Sequence, residues 1–375
     1  MERATEARDN GFSFFCYMKE KHPDIDTYYI IIKGSPDEKK LKQYKDNIIH
    51  YNTYKHIYYY LAAECSISTH ERGVTSPYCF HGYTGYSCIE SLSWFVPTKQ
   101  IIVFLQHGIT KEYLNLIDME KQPKRLRPHL FIAAASRERD FIESVGHWPK
   151  HTVVCTGFSR FDLLFRSKKE YKHQILIMPT WRKWLAAKNT ANIANATEKN
   201  KFINSSYFKA FQQLLNNNKI VNLLNIYNYQ LIFYPHYELQ SYINTFSCNS
   251  SRITIANRNI FDIQKLLIES SILITDYSSV YFDFAYMKKP ELFYQFDKEK
   301  FRQKQYKECT IEYKHKEFGR IAKKEDEVIE ELEKILKNGC KMEEKYIEMV
   351  EDTFAYIDNN NCKRTYDEII KLLNY

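Results

Sequence analysis

Short apolar runs rich in β-branched residues alternate with helical patterns along most of this chain. The clearest example is the run at residues 272–275, which is followed by a polar turn and then by apolar positions at helical spacing from Val280 to Met287. Pro290 ends this helical pattern, and a second apolar run follows at residues 291–296. A strand, a polar turn and a helix in this order predict an α/β nucleotide-binding unit, with the strands in a buried parallel sheet.

The same rhythm extends over both halves of the chain. A helix entered through an Asp/Asn cap is expected within residues 1–22 and a polar surface loop at 189–204, and residues 301–319 look irregular. The other predicted strands cover residues 27–33, 47–51, 65–69, 100–105, 130–134, 152–155, 174–178, 230–234 and 252–256, and the other main helices cover 208–217, 262–270, 326–337, 343–356 and 362–373.

Two α/β halves separated by a charged linker at residues 168–173 predict two Rossmann-like domains. The expected fold class is α/β of the GT-B-like type, with the two domains facing a cleft and C-terminal helices at the end of the chain. The first domain is placed at 1–167. The second is placed at 168–375, and a crossing of the C-terminal helices back to the first domain stays open.

Composition narrows the class of ligand. The 375 residues carry a formal charge of +8, which favours acidic ligands or an anionic membrane surface but is too diffuse to predict nucleic-acid binding. There is no G-x-G-x-x-G or Walker sequence. The nine cysteines form no C-x-x-C pair, and we find neither a signal peptide nor a membrane-spanning run. We therefore expect reduced thiols in a cytoplasmic protein, with any membrane contact peripheral.

Polar residues follow many of the predicted strands. In an open parallel sheet such positions meet the ligand, and a diphosphate needs cations, hydroxyls and helix N-termini around it. Each residue also has a structural explanation: a satisfied core histidine, an ion-paired arginine, a turn proline or a serine N-cap. The strand-end residues are His107, Arg160, Thr180 with Arg182, His236, and Ser278 with Ser279.

Several of these residues lie in segments that together resemble the CDP-glycerol glycerophosphotransferase family, the teichoic-acid primases and polymerases. The similarity covers nearly the whole chain, and seven motifs occur in the family order. They read ARDNGFSFFCYM, LQHGITK, TGFSRFDLL, ILIMPTWR, FYPHYELQ, ILITDYSSVYFDFAYMKKP and NGCKMEEKY. The resemblance implies a GT-B fold that binds the acceptor in the first domain and a CDP-alditol in the second.

The resemblance also implies residue roles. His107 is the expected general base on the acceptor hydroxyl, and His236 is expected to balance charge on the transferred phosphoryl group. Ser278 and Ser279 are expected to hold the diphosphate, and Asp283 to contact the donor or orient that turn. The full set expected to bind the CDP-alditol is Gly108, Ile109, Thr110, Lys111, Arg160, Pro179, Thr180, Arg182, Tyr234, Pro235, Asp276, Ser278, Ser279 and Asp283, with His236 beside it.

The chain departs from the family pattern at three places. Lys111 is displaced by one position relative to the family's lysine. Gly319-Arg320 stands where the family has Gly-Pro, and residues 309–311 replace a Gly-Tyr-Phe stretch. The rim of the donor pocket is therefore expected to differ, which leaves another alditol open beside glycerol.

The function implied is transfer of an alditol phosphate, with glycerol phosphate first, from a CDP-alditol to a hydroxyl of a cell-surface polymer or lipid-linked glycan. The reaction releases CMP and would belong to teichoic-acid or capsule biosynthesis. No cofactor is required and no metal cluster is visible, although Mg²⁺ is compatible with the sequence. The alternatives are a GT-B glycosyltransferase using a nucleotide sugar, a non-catalytic scaffold for envelope or capsule enzymes, and an epimerase-like enzyme.

Membrane attachment is the last expectation. The basic excess and aromatic residues such as Trp94, Trp148 and Trp184, if exposed, support peripheral contact with the anionic inner face of the cell membrane. The alternative is that such tryptophans are core residues, which we favour for Trp181.

Overall fold

A computed structural model describes residues 2–70, 75, 77, 99–110, 118–120, 124, 127–168, 171–187, 194–305 and 317–374. The chain divides into two compact units. The first comprises Met1–Arg166 with Thr353–Tyr375, and the second comprises Ser167–Asp352. The boundary lies within one residue of the expected position, but the last 23 residues belong to the first unit rather than to the second.

The regular elements of the described residues follow the predicted rhythm. The strands are β1 (Tyr29–Ile31), β2 (Ile48–His50), β3 (Cys65–Ser68), β4 (Ile101–Phe104), β5 (Leu130–Ala133), β6 (Val153–Cys155), β7 (Gln174–Ile177), β8 (Gln230–Phe233), β9 (Ile253–Ile255), β10 (Ile272–Thr275), β11 (Glu291–Tyr294) and β12 (Gly319–Ala322). The helices are α1 (Asn10–Lys21), α2 (Tyr54–Ala62), α3 (Ser136–Val145), α4 (Phe161–Ser167), α5 (Ala196–Ile203), α6 (Ser206–Leu215), α7 (Asn218–Ile226), α8 (Ile263–Glu269), α9 (Val280–Tyr286), α10 (Lys298–Lys304), α11 (Glu325–Lys337), α12 (Glu344–Thr353) and α13 (Asn361–Leu373).

The first unit is built on a parallel sheet of four strands in the order β3-β4-β5-β6, and β1 and β2 form a separate parallel pair. Every residue of β5 is buried, as expected for a strand covered on both faces. Because all four strands run in the same direction, the loops after them emerge at one edge of the sheet.

The second unit is a six-stranded parallel sheet in the order β12-β11-β10-β7-β8-β9. The chain builds one half of the sheet outward from β7 and then returns to add β10 beside it. In sheets wound in this way, ligands bind where the strand order reverses, at the carboxyl ends of the two central strands. Here those strands are β7 and β10, which pair in register with Ile272 opposite Ile175.

Two predicted irregular segments are ordered differently. The expected surface loop at 189–204 contains α5, which begins with a capping box formed by Asn195 and Glu198. The expected irregular segment 301–319 overlaps the end of α10 and the first residue of β12, and its residues 306–316 lie outside the described ones. At Gly319 an added Cβ would lie 2.0 Å from the carbonyl oxygen of Glu291. The sequence pattern predicted neither α5 nor β12, because α5 has few buried side chains and β12 is an edge strand with an exposed centre.

The C-terminal segment docks through α13, which begins on the carboxylate of Asp162. Asp162 Oδ1 accepts hydrogen bonds from the backbone N–H (2.8 Å) and the side-chain amide (2.7 Å) of Asn361, and its Oδ2 accepts one from the Cys362 N–H (3.0 Å). Gly157 has φ +79° and approaches Asn361 so closely that a Cβ would lie 1.8 Å from the amide oxygen. The T-G-F-S-R-F-D motif is thus a clamp for the C-terminal helix.

We expect Asp162→Asn to lower the free energy of unfolding of the first unit by about 1.5–3 kcal/mol, because one oxygen becomes an NH₂ group facing a backbone donor. Urea unfolding followed by circular dichroism measures the change. Asp367→Asn, which removes a partly exposed acid from the same helix, is the matched control and should cost less than about 1 kcal/mol. Equal stability of the two variants would contradict the clamp.

Candidate functional site

The loop after β4 is held in a strained conformation by two neighbours. Gln106 has φ +57°, which is uncommon for a residue with a side chain. The Asn10 amide donates to the carbonyl oxygen of Gln106 at 2.9 Å, and the Gln106 amide donates to the carbonyl oxygen of Ile132 at 2.9 Å. Strain of this kind persists only where the surroundings fix it, and it clusters at functional sites.

Glu138 fixes the far end of the same loop. Its fully buried carboxylate accepts hydrogen bonds from the backbone N–H groups of Thr110 (2.6 Å) and Ala134 (2.8 Å) and from the Gln106 amide (3.2 Å). Burial raises the pKa of Glu138 to about 7, although these donors pull it down. The loop that carries His107 is therefore clamped at both ends.

His107 is presented at the edge of the first sheet with its proton placement defined. Its Nδ1 lies 3.3 Å from the carbonyl oxygen of Thr69, which can only accept a hydrogen bond. Nδ1 is therefore assigned the proton, and Nε2 carries the free lone pair that a base needs. More than a third of the residue's surface is accessible, yet protein crowds the ring on its other sides and desolvation lowers the pKa of His107 to about 4. The ring is neutral at pH 7.

The residues after His107 differ in what they can contact. Gly108 is half-buried, whereas Ile109 is buried and Thr110 donates its hydroxyl hydrogen to Gln106 at 3.1 Å. The side chains of Ile109 and Thr110 thus serve the loop. Lys111 lies outside the described residues.

Arg160 belongs to the support of this loop. It is buried, its Nη1 is 2.9 Å from Oδ1 of Asp9, and its backbone N–H donates to Asn10 at 3.1 Å. Its guanidinium also lies 5.0 Å from the centroid of the Phe158 ring. In the structure Arg160 therefore forms a structural ion pair, and its direct contact with a CDP-alditol stays a prediction.

In the second unit, the loops after β7 and β10 are tied together at the point where the strand order reverses. Asp276 Oδ1 accepts hydrogen bonds from the backbone N–H of Thr180 (2.8 Å) and of Tyr277 (2.5 Å). The Thr180 side chain is buried, and its hydroxyl has no hydrogen-bond partner among the described residues. A buried hydroxyl without a partner is costly, so Thr180 presents an unsatisfied polar group where the strand order reverses.

Arg182 is the fully buried centre beneath these loops. It forms an ion pair with Asp276 at 2.9 Å and two parallel contacts of 2.8 Å with Asp297, and it donates to the Thr180 carbonyl at 2.7 Å. Four aromatic rings surround its guanidinium. Through these contacts with each other, with Asp297 and with the backbone, Arg182 and Asp276 support the site, and their direct binding of the donor stays a prediction.

Ser278 and Ser279 are half-buried at the start of α9, and their hydroxyls contribute little to the hydrogen bonding of the fold. Ser279 makes no side-chain capping hydrogen bond, and Ser278 Oγ is 3.4 Å from the Val280 N–H. An ordinary N-cap would show a closer bond. Asp283, by contrast, is buried within the helix, and its expected role, contact with the donor or orientation of the turn, stays a prediction.

His236 follows β8 at the same edge and has the opposite proton placement to His107. Its Nδ1 accepts a hydrogen bond from the Glu238 N–H at 3.2 Å, so in the neutral ring Nε2 carries the proton. The ring stacks on Trp181 with centroids 6.1 Å apart. Tyr234 is buried in the core, and Pro179 and Pro235 are buried in the loops after β7 and β8, so their contact with the donor stays a prediction.

Sequence reasoning missed the residues that hold the loops. They are Asp9, Asn10, His70, Gln106, Glu138 and Asp297. Asp9 and Asn10 were interpreted as a helix cap, which Asp9 also is. The signal that points to Glu138 is weak, because an acid in the first turn of a helix is common.

The metal and membrane expectations stay predictions. Among the described residues, one group offers metal-ligand atoms within 4.8 Å of one another: Asp118, Glu120 and His147. None of these three is a predicted site residue. Trp148 is buried against Phe131, and Trp184 packs on the core of the second unit, so neither is the exposed anchor expected. Trp94 lies outside the described residues. No described helix combines the length and apolar composition of a bilayer span.

Comparison with known proteins decides the family. A model described as CDP-Glycerol:Poly(glycerophosphate) glycerophosphotransferase matches residues 2–371. The chain belongs to this family. The minor teichoic acid biosynthesis protein GgaB of Bacillus subtilis (strain 168) is 32% identical over 380 residues, which cover 100% of this chain and 39% of GgaB. The chain spans well under two thirds of the length of the curated relatives it matches.

Solved structures share the fold of this glycerophosphotransferase-family chain. The wall teichoic acid polymerase TagF superposes with a TM-score of 0.67 at 16% identity, covering 100% of this chain and 88% of TagF. The S. aureus MnaA-UDP co-structure gives a TM-score of 0.57 at 12% identity, covering 100% and 95%. The predicted α/β fold class, with two Rossmann-like units of the GT-B type, is confirmed by these likenesses and by the parallel sheets.

Proposed function

We propose that this chain transfers glycerol phosphate from CDP-glycerol to a hydroxyl of a teichoic-acid-type polymer and releases CMP. The observation that carries the proposal is the placement of the ring proton in two histidines. His107 has a free lone pair on Nε2, and His236 carries its proton on Nε2. Phosphoryl transfer to a hydroxyl needs one base and one donor to the phosphate. The family match and the names of GgaB and TagF support the same chemistry.

His107 acts as the base in this proposal. As the acceptor oxygen forms its bond to the β-phosphorus of CDP-glycerol, its proton moves to His107 Nε2. The bond between the β-phosphorus and the bridging oxygen breaks, and CMP leaves with that electron pair. The proton on His107 then passes to solvent, so the ring returns to its neutral state.

The second unit supplies the donor site in this proposal. The hydroxyls of Thr180, Ser278 and Ser279 donate to diphosphate oxygens at the reversal of the sheet, where backbone N–H groups of α9 add to them. His236 donates its Nε2 hydrogen to the transferred phosphoryl group and offsets the charge that develops there. Positioning and charge stabilisation supply the rate enhancement, as in other phosphoryl transfers.

The alditol and the acceptor complete the proposal. Glycerol is the first choice, and a lipid-linked or glycan-linked polymer at the inner face of the membrane is the acceptor. The net charge of +8 favours approach to polyanionic polymer and to anionic lipid.

A donor screen tests the proposed function. The chain is incubated with a glycerol-phosphate-primed acceptor and with CDP-glycerol, CDP-ribitol or UDP-N-acetylglucosamine, and free nucleotide is measured. We expect CMP release and a product heavier by one glycerol phosphate per transfer. Release of UDP alone would instead identify a sugar transferase, and no release from any donor would favour a scaffold.

Removing the two serine hydroxyls should weaken donor binding. Hydrogen bonds to charged groups contribute about 1.5–3 kcal/mol each, so Ser278→Ala with Ser279→Ala should raise the KM for CDP-glycerol at least about 10-fold. Initial rates of CMP release over a donor series give this KM. Ser251→Ala, which alters an exposed serine of the same unit, is the matched control. An unchanged KM in the double variant would remove the serines from the donor site.

A further inference from the structure

His70 lies on the face of His107. The centroids of the two imidazole rings are 4.8 Å apart, and the ring planes differ by 13°. Nothing in the pattern of the sequence singles out His70, because it follows a short strand and precedes a polar stretch. The stack places a second titratable ring beside the proposed base.

One turn fixes both rings. The Thr69 carbonyl faces Nδ1 of His107 at 3.3 Å, while the Thr69 hydroxyl lies 2.9 Å from Nδ1 of His70. The Ser68 hydroxyl closes the turn by donating to the His70 carbonyl at 2.9 Å and accepting from the His70 N–H at 3.2 Å. A rotation of His70 would therefore disturb the partner that sets the proton placement of His107.

The surrounding charges keep His70 neutral. Burial, the largest cause, and the positive charge of Arg3 hold the pKa of His70 well below its ordinary value, and a proton on His107 would lower it further. Arg3 and Arg160 act on His107 in the same direction, and Arg160 is itself paired with Asp9. Glu138, the buried acid of α3 that holds this loop, accepts hydrogen bonds from Thr110, Ala134 and Gln106. A proton taken up near this pair therefore resides on His107.

We propose that His70 is a positioning residue, a neutral aromatic ring that fixes the plane of His107 and stabilises its protonated form during transfer. The proposal rests on the proposed function, because it assigns to His70 a part in that reaction. The face of a neutral aromatic ring attracts a cation, so the stack becomes more favourable when His107 accepts the proton. The interaction is stronger in the transition state than before it, which is what acceleration requires.

Two substitutions separate stacking from polarity. His70→Ala removes the ring and should lower kcat for CMP release by about 10- to 100-fold, since small displacements of a reacting group have effects of this size. The KM for CDP-glycerol should stay within about 2-fold, because the donor site described above does not include His70. His70→Phe keeps a ring face and should recover most of the lost kcat. His173→Ala removes a ring stacked at the same 4.8 Å on Tyr229 in the second unit and should leave kcat unchanged.

Nuclear magnetic resonance of ¹⁵N,¹³C-histidine-labelled protein gives a readout that does not depend on turnover. In the native chain and in His70→Phe, His107 should show the Nδ1–H form, and in His70→Ala it should show both Nδ1–H and Nε2–H forms. Unchanged His107 signals together with unchanged kcat in His70→Ala would overturn the proposal, as would His70→Phe and His70→Ala losing kcat equally. If the native chain releases no CMP, the proposed function fails, whereas the His107 signals still show whether His70 fixes the ring.

Discussion

Replacing His107 by alanine should lower the rate of CMP release from CDP-glycerol by about 10²–10⁴, the usual effect of losing one general base. The acceptor hydroxyl is a poor nucleophile while it keeps its proton, and the free Nε2 lone pair of His107 is placed to take that proton. The fold should be retained, because His107 is partly exposed and its contact with the Thr69 carbonyl is long.

Two controls keep this prediction specific. Calorimetric titration with CMP should give the same Kd for the native chain and for His107→Ala, because the proposed donor site lies in the second unit. His173→Ala, which alters an exposed histidine, should keep the native rate. CMP release by His107→Ala within about 3-fold of the native rate would contradict the role of base.

The pH profile should carry the signature of a base with a depressed pKa. Desolvation lowers the pKa of His107 to about 4, so the ring stays neutral from pH 8 down through pH 6. As pH falls further toward 4, His107 becomes protonated and kcat/KM should fall. The acidic limb of kcat/KM for CMP release should therefore lie well below pH 6.5, and a limb centred at 6.5 or above would contradict the assignment.

Arg182→Met should produce the largest loss of stability, about 3–5 kcal/mol in the free energy of unfolding of the second unit. Methionine fills much of the space, but it leaves the carboxylates of Asp276 and Asp297 buried without their cation. The effect should reach the site, because Asp276 also ties the Thr180 loop to the Tyr277 loop. Urea unfolding followed by circular dichroism measures this loss.

Matched variants test the cause. Arg320 is about half exposed and pairs with Glu331 and Glu343, so Arg320→Met should cost less than about 1 kcal/mol. Adding Asp276→Asn to Arg182→Met should recover part of the stability, because it removes one unpaired charge and keeps the Oδ1 acceptor for the backbone. A double variant less stable than Arg182→Met alone would contradict this account.

The prediction from sequence did not resolve the roles of Arg160 and Arg182. Arg160 and Arg182 follow strands, in positions typical of diphosphate ligands. The same positions suit an arginine that turns inward to a carboxylate brought from a distant part of the chain, Asp9 for one and Asp297 for the other. Local sequence does not distinguish the two orientations, because the partner lies 151 residues away in the first case and 115 in the second.

The sequence by itself determined the parallel α/β architecture, the unit boundary near residue 167, and the placement of His107, His236, Ser278 and Ser279 after strands. The architecture and these placements follow from local alternation of apolar and polar residues, which is complete within about ten residues of chain, and the boundary follows from the charged segment 168–173.

Only the tertiary structure decided the rest. The last 23 residues belong to the first unit because Gly157 and Asp162 accept α13. The two histidines differ in which ring nitrogen carries the proton, because a carbonyl faces Nδ1 of one ring and a backbone N–H faces Nδ1 of the other. These features depend on contacts between residues far apart in the chain or on the direction in which a loop turns, and neither is written in a local pattern of hydrophobicity.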